Sequence, residues 1–123
     1  MIPFCEAEGI GLRPWSPVAR GLLTRPASEE TSRSEQDVKT KRWFQGENNC
    51  IIIQRVEEIA KAKGCSMANL ALAWLLHRGE CPIVGLNSES RIESASEVFK
   101  ISLKKEDVEY LEAPYRPLEV QAM

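Results

Sequence analysis

The seven residues LALAWLL, Leu70 to Leu76, set the tightest limit on what this chain can fold into. Ser66 stands before them as an N-cap and Gly79 after them as a stop, so MANLALAWLLHR reads as one helix. Between Leu70 and Leu76 that helix has no polar face, and it must be covered on more than one side. Each such side chain left in water forgoes about 1.5–3 kcal/mol, while a whole domain is stable by only about 5–15 kcal/mol. The chain of 123 residues is long enough for one domain, yet it offers few elements to pack around such a helix. It therefore reads as part of a larger fold.

The remaining elements follow from periodicity and punctuation. Residues 2–8 look like the end of a helix stopped by Gly9, and Ile10 to Pro17 reads as a strand limited by Pro14 and Pro17. A polar loop covers 24–49. From Cys50 to Lys63 a helix places Ile52, Val56, Ile59 and Ala60 on one face and ends at Gly64. After the Leu70–Leu76 helix, Cys81 to Gly85 forms a short strand. Ser88 to Phe99 is helical with Ile92, Ala95, Val98 and Phe99 on one face, and a capped helix from Ser102 to Pro114 points Val108 and Leu111 inward. Strands alternating with helices imply a parallel sheet, and two strands cannot complete one.

Several function classes drop out. A formal net charge of -2 with scattered signs lacks the basic footprint of nucleic-acid binding. No apolar run is long enough to span a membrane, and the acidic amino terminus lacks the basic start of a secretory signal. These features point to a cytoplasmic chain. Cys5, Cys50, Cys65 and Cys81 form no C-x-x-C pair, and His77 is the single histidine, so no zinc site is expected and the thiols are read as reduced.

IGLRPWSPVARGLL followed by a polar loop, then ANLALAWLLHRGECPIVGLNSESRIESA, resembles the carboxy-terminal portion of an aldo-keto reductase, within the aryl-alcohol-dehydrogenase-like branch of fungi and bacteria. The resemblance covers residues 1–117, leaving 118–123 as a tail. It implies an α/β fold, part of a (β/α)8 TIM barrel, whose complete form has about 250 residues and its active site at the C-terminal strand ends. This chain would supply the end of helix six, strands seven and eight, helices seven and eight and a terminal helix. Strands one to six have no counterpart in it, and Met1 stands where relatives carry an internal residue.

The resemblance also implies a ligand, NADP(H). Trp15, Ser16, Pro17, Val18, Ala19, Arg20 and Gly21 match the loop that wraps the pyrophosphate and its ribose. Ser16 offers a hydroxyl, backbone N–H groups from Val18 onward are expected to face the anion, and Arg20 or Arg25 adds charge. Gly85, Asn87, Arg91, Ser94 and Ala95 match positions that hold the adenosine 2′-phosphate and adenine, at a helix start that favours anions. Many relatives carry an acid and Asn where Ser94 and Ala95 stand, and Glu89 in the first turn would oppose a phosphate. A Pro-bracketed strand exit with surface arginines is the structural alternative. Trp74 and His77 are read as structural.

The family reduces carbonyls with a tyrosine acid assisted by lysine, aspartate and histidine from earlier strands. Tyr110 and Tyr115 lie in the last helix and tail, so no catalytic residue is expected here. Three functions remain open: a reductase portion inactive alone, a non-catalytic NADP-binding module, and half of a split reductase whose Leu70–Leu76 face meets a complementing chain. A small carbonyl substrate, aromatic or polyketide-like and tied to secondary metabolism, is implied only for a complete barrel.

Overall fold

The computed structural model describes residues 1–28 and 47–117. Most of the predicted 24–49 loop and the 118–123 tail lie outside them. Five α-helices follow in order among the described residues: α1 (Ile2–Ala7), α2 (Glu47–Lys63), α3 (Met67–His77), α4 (Glu89–Ser96) and α5 (Lys105–Glu112). Short 3-10 helices occupy Ala19–Thr24 and Glu97–Lys100. α2 already runs at Glu47, three residues before the predicted start.

The helix stops were legible. Gly64 and Gly79 take φ 65° and 75°, the left-handed region that costs glycine nothing. In each case the two residues at the stop donate back into the last turn. Cys65 N bonds Ala60 O at 3.0 Å and Glu80 N bonds Leu75 O at 3.1 Å, which satisfies carbonyls the helix leaves open. At the other end of α3, Ser66 Oγ accepts the Asn69 N–H at 3.1 Å.

α3 is the centre of the core, covered on more than one side as its all-apolar stretch requires, and it is the reading of that face as a surface for a complementing chain that fails. Leu70 is 0% exposed, and Ala71, Leu72, Ala73 and Leu75 are also buried. Ile53, Val56, Ile59 and Ala60 of α2 cover one side, while Val98, Leu103 and Leu111 close in from later in the chain. Because α2, α5 and both 3-10 helices surround it, the Leu70–Leu76 face is not an open interface. Two registers shift as well. Ile53 rather than Ile52 is fully buried on α2. Past Glu97 the chain tightens to the 3-10 period, which leaves Val98 inside but turns Phe99 out, 81% exposed, and Ile92 is exposed too.

The two predicted strands lie side by side and parallel, but they do not form a named strand among the described residues. Cys81 N donates to Leu12 O and Ile83 N to Pro14 O, both at 3.0 Å, and a single parallel bridge joins Trp15 to Ile83. In a parallel ladder a residue facing its neighbour both donates and accepts. Pro14 has no N–H to return to Cys81, so one rung is missing. The apolar surface the sequence flagged as uncovered is found here: Trp15 is 69% and Ile83 55% exposed, with Ile10 also open.

α5 starts differently from expectation. Lys104, not Ser102, is its N-cap, and the Asp107 carboxylate accepts the Lys104 N–H at 2.8 Å. Asp107 also pairs with Lys63 at 2.7 Å, and Lys63 donates to Ser102 O at 2.9 Å, pinning the end of α2 to the start of α5. The Lys63 ammonium, helped by the Lys104 N–H, holds the Asp107 carboxyl below the usual range. A depressed carboxylate stabilises the fold above its unfolded pKa of about 3.9 and loses that contribution as pH falls through the folded value. Melting temperature is expected to drop on acidification from about pH 5 to about pH 2 more steeply in the natural chain than in Asp107→Asn. Identical slopes would show that this pair contributes nothing.

Candidate functional site

The segment leaving Trp15 folds back at once. Ser16, Ala19 and Arg20 have φ of 58°, 49° and 55°, and Gly21 has 99°. Left-handed backbone at three non-glycine residues so close together is costly, of order 1–3 kcal/mol apiece, and such strain gathers at ligand clamps. The turn closes on itself: Ala19 N donates to Ser16 O at 2.9 Å, Gly21 N to Val18 O at 2.9 Å and Leu23 N to Val18 O at 3.3 Å. Ser16 Oγ accepts from Arg20 N at 3.1 Å. The backbone donors expected to face an anion are therefore spent inside the turn at Ala19, Arg20, Gly21 and Leu23. What the turn presents outward is the Arg20 and Arg25 side chains. A Cβ on Gly21 would come 3.7 Å from Arg25 Nη1, ordinary contact distance, so it is the φ of 99° and not lack of space that favours glycine there.

Opposite stands the stretch from Ile83 into α4. Ser88 is the N-cap, its Oγ accepting the Arg91 N–H at 3.4 Å and lying 3.2 Å from Ser90 Oγ. Between turn and helix lies a cavity of about 850 Å³, within the roughly 300–1,000 Å³ of small-molecule sites. Of the predicted residues, Trp15, Ser16, Pro17, Val18, Arg20, Gly21, Gly85, Arg91 and Ser94 line it, as do Arg25 and Ala95. Ala19 instead lines a neighbouring hollow of about 350 Å³. Asn87 borders neither and is exposed. The parallel pairing of Leu12–Trp15 with Cys81–Ile83 is what carries the two groups together across the length of α2 and α3.

The lining is electrically one-sided. Among the described residues Arg20, Arg25 and Arg91 are in it and no carboxylate is; Glu89, which the sequence set against a phosphate, is not in the lining. Among the described residues the Arg91 guanidinium forms no ion pair or hydrogen bond. The sequence reading missed the floor: Ala68, Asn69 and Leu72 of α3 line the cavity, although that helix reads as pure core. The available signal was Asn69, an amide beside an apolar run.

Other reactive groups lie elsewhere. Tyr110 donates to Glu58 Oε2 at 2.6 Å, which pushes the phenol above its usual value, and its ring lies 4.3 Å from the Arg55 guanidinium. Neither Tyr110 nor Tyr115 borders the cavity. Trp74 donates to Glu112 at 3.0 Å, and Arg78 bridges Glu6, Glu80 and Glu112, so this corner ties helices together. Burial pushes the Cys65 thiol up, away from thiolate chemistry. No group of three His, Cys, Asp or Glu able to hold a metal occurs among the described residues, and no helix there is long and apolar enough to cross a membrane.

The profile of the aldo/keto reductase family matches residues 1–116. The chain belongs to the aldo/keto reductase family. It is 49% identical over 123 residues to a provisionally named aryl-alcohol dehydrogenase of Schizosaccharomyces pombe, covering 98% of this chain and 35% of that protein. It is 48% identical over 122 residues to the versiconal hemiacetal acetate reductase of Aspergillus parasiticus, covering 95% and 36%. The chain thus spans about a third of the length of these aldo/keto reductase relatives. Its course also follows the glycerol dehydrogenase of Gluconobacter oxydans with a TM-score of 0.68 at 22% identity, over 100% of this chain and 41% of that one, a likeness of fold that a partial barrel fits. Aldo/keto reductases generally use a nicotinamide dinucleotide and act on carbonyl compounds. The aldo/keto reductase portion seen here fits the phosphate-bearing part of such a cofactor: a roomy cavity lined by three arginines and, among the described residues, by no carboxylate.

Proposed function

We propose that residues 1–117 form the part of an NADP(H)-dependent aldo/keto reductase that grips the dinucleotide, without the groups that reduce the carbonyl. The observation that carries this is the cavity bordered by Arg20, Arg25 and Arg91, with no carboxylate in its lining among the described residues. Arg20 and Arg25, with Trp15, Ser16, Pro17, Val18, Ala19 and Gly21, hold the pyrophosphate and its ribose. Arg91, with Gly85, Ser94 and Ala95, holds the 2′-phosphate and adenine, while Asn87 stands outside the cavity lining. Guanidinium suits both tasks, because its planar fork pairs phosphate oxygens two at a time. The cofactor, where bound, supplies hydride. These residues bind and orient it, and none is placed to donate the proton a carbonyl needs. Both tyrosines standing away from the cavity support that division. Cytoplasmic location, a small aromatic or polyketide-like carbonyl substrate and a role in secondary metabolism belong to the same proposal.

The test is a thermal melt of the 123-residue chain with and without NADPH. A ligand at a hundredfold excess over its Kd adds about 2.7 kcal/mol, so the transition is expected to move clearly upward, with no NADPH consumed when a carbonyl is added. A cooperative melt indifferent to NADPH would sink the proposal.

A second reading, one half of a split reductase, is favoured by the open surface of Ile10, Trp15 and Ile83 beside a segment paired on one edge only. It expects carbonyl reduction to appear on mixing with a chain bearing the earlier strands. Absence of activity and of co-migration in the mixture would rule it out.

A further inference from the structure

We infer that Asn69 is a positioning residue that sets where α4 presents Arg91 to the ligand. The inference rests on the dinucleotide reading of the cavity. Asn69 is the one buried polar side chain among the described residues, 6% exposed, on a helix otherwise devoted to packing. Its Nδ2 donates to the backbone carbonyl of Ser94, 25 positions along the chain, at 2.7 Å. Ser94 sits on α4, the same short helix that carries Ser90 and Arg91 to the cavity wall.

What makes this bond matter is the rest of α4. None of its eight side chains is buried, so it cannot be located by packing in the way α2 and α3 are. Ala95 is half-buried and Val98, beyond the helix, is buried. Those contacts fix the carboxy-terminal end. The Asn69 amide, rooted in the most deeply buried of the described helices, fixes the distance between α4 and the cavity floor, because Asn69 lines the floor itself. An apolar side chain of similar size would fill the same space but could not donate to Ser94, whose carbonyl would keep only the backbone N–H at the end of α4, loosening the tie between α4 and α3 without hollowing the core. The consequence falls on one end of the ligand: Arg91 is on α4, whereas Arg20 and Arg25 belong to the turn after Trp15 and are held by separate bonds.

The experiment compares the natural 123-residue chain with Asn69→Leu and Asn69→Gln, the latter keeping the donor. Amide hydrogen exchange is followed in the free proteins, and Kd is measured for NADPH and NADH. In Asn69→Leu, amides of Glu89–Ser96 are expected to exchange about tenfold faster while Met67–His77 stays protected. The Kd for NADPH is expected to rise about fivefold, that for NADH by less than about twofold, and Asn69→Gln to recover most of the loss. Unchanged exchange in α4 would overturn the inference. So would equal weakening of both cofactors in step with a fall in melting temperature, the mark of a packing role alone. If the natural chain binds neither cofactor, the reading of the cavity fails, and exchange still decides whether Asn69 anchors α4.

Discussion

Leu70→Ala is expected to cost about 3–5 kcal/mol, the range for emptying a fully enclosed leucine site. Leu70 is 0% exposed and packs in the cluster formed by α2, α3 and the residues around Val98, Leu103 and Leu111. Those neighbours come from several separate parts of the chain, so they cannot collapse together into the space a smaller side chain leaves. Against a total of about 5–15 kcal/mol, the loss would leave a small domain close to unfolding. Phe99→Ala, at a side chain 81% exposed, is the control and is expected to stay within about 0.5 kcal/mol. Urea melts of both read the contrast directly. If Leu70→Ala unfolds at the same midpoint as the natural chain, α3 is not the centre of a cooperative core, and the open face at Trp15 and Ile83 dominates the chain's behaviour.

Arg91→Ala is expected to weaken NADPH by about tenfold to a hundredfold and NADH by less than about twofold. A charge-assisted hydrogen bond contributes about 1.5–3 kcal/mol, and each 1.4 kcal/mol is tenfold in Kd. The selectivity arises because only NADPH carries the 2′-phosphate that the proposal assigns to Arg91, while it assigns Arg20 and Arg25 to the phosphates common to both. Arg91 forms no ion pair among the described residues, so its removal breaks no structural tie and leaves the melting temperature in place. Equal loss for both cofactors would move Arg91 off the 2′-phosphate. No loss for either would leave it a solvated surface arginine.

The helices were legible because their signals are local. Ser66 caps α3, Ser88 caps α4, and Gly64 and Gly79 end α2 and α3, each through atoms within a few residues. The candidate ligand residues on either side of the cavity were legible through family resemblance, and the structure puts most of them around one space. Misreadings arose where neighbours decide. Ile53 displaced Ile52 as the buried residue, and the 3-10 turn after Glu97 sent Phe99 outward. The turn after Trp15 consumed the N–H groups assigned to an anion. Asn69 went unnoticed because the importance of its amide depends on a carbonyl 25 residues away.

By itself the sequence determined where α2 and α3 stop, which serines cap α3 and α4, and the family. Those depend on capping atoms, periodicity and the left-handed freedom of glycine, all interactions within one turn. Only the tertiary structure decided which apolar surface stays open. The all-apolar Leu70–Leu76 helix marked itself as the face in need of partners, but α2 and the segments around Val98, Leu103 and Leu111 bury it. The uncovered surface is Ile10, Trp15 and Ile83, where Pro14 withholds a rung of the ladder. Burial is a property of what long-range contacts bring to a face, and no count of apolar residues along the chain contains it.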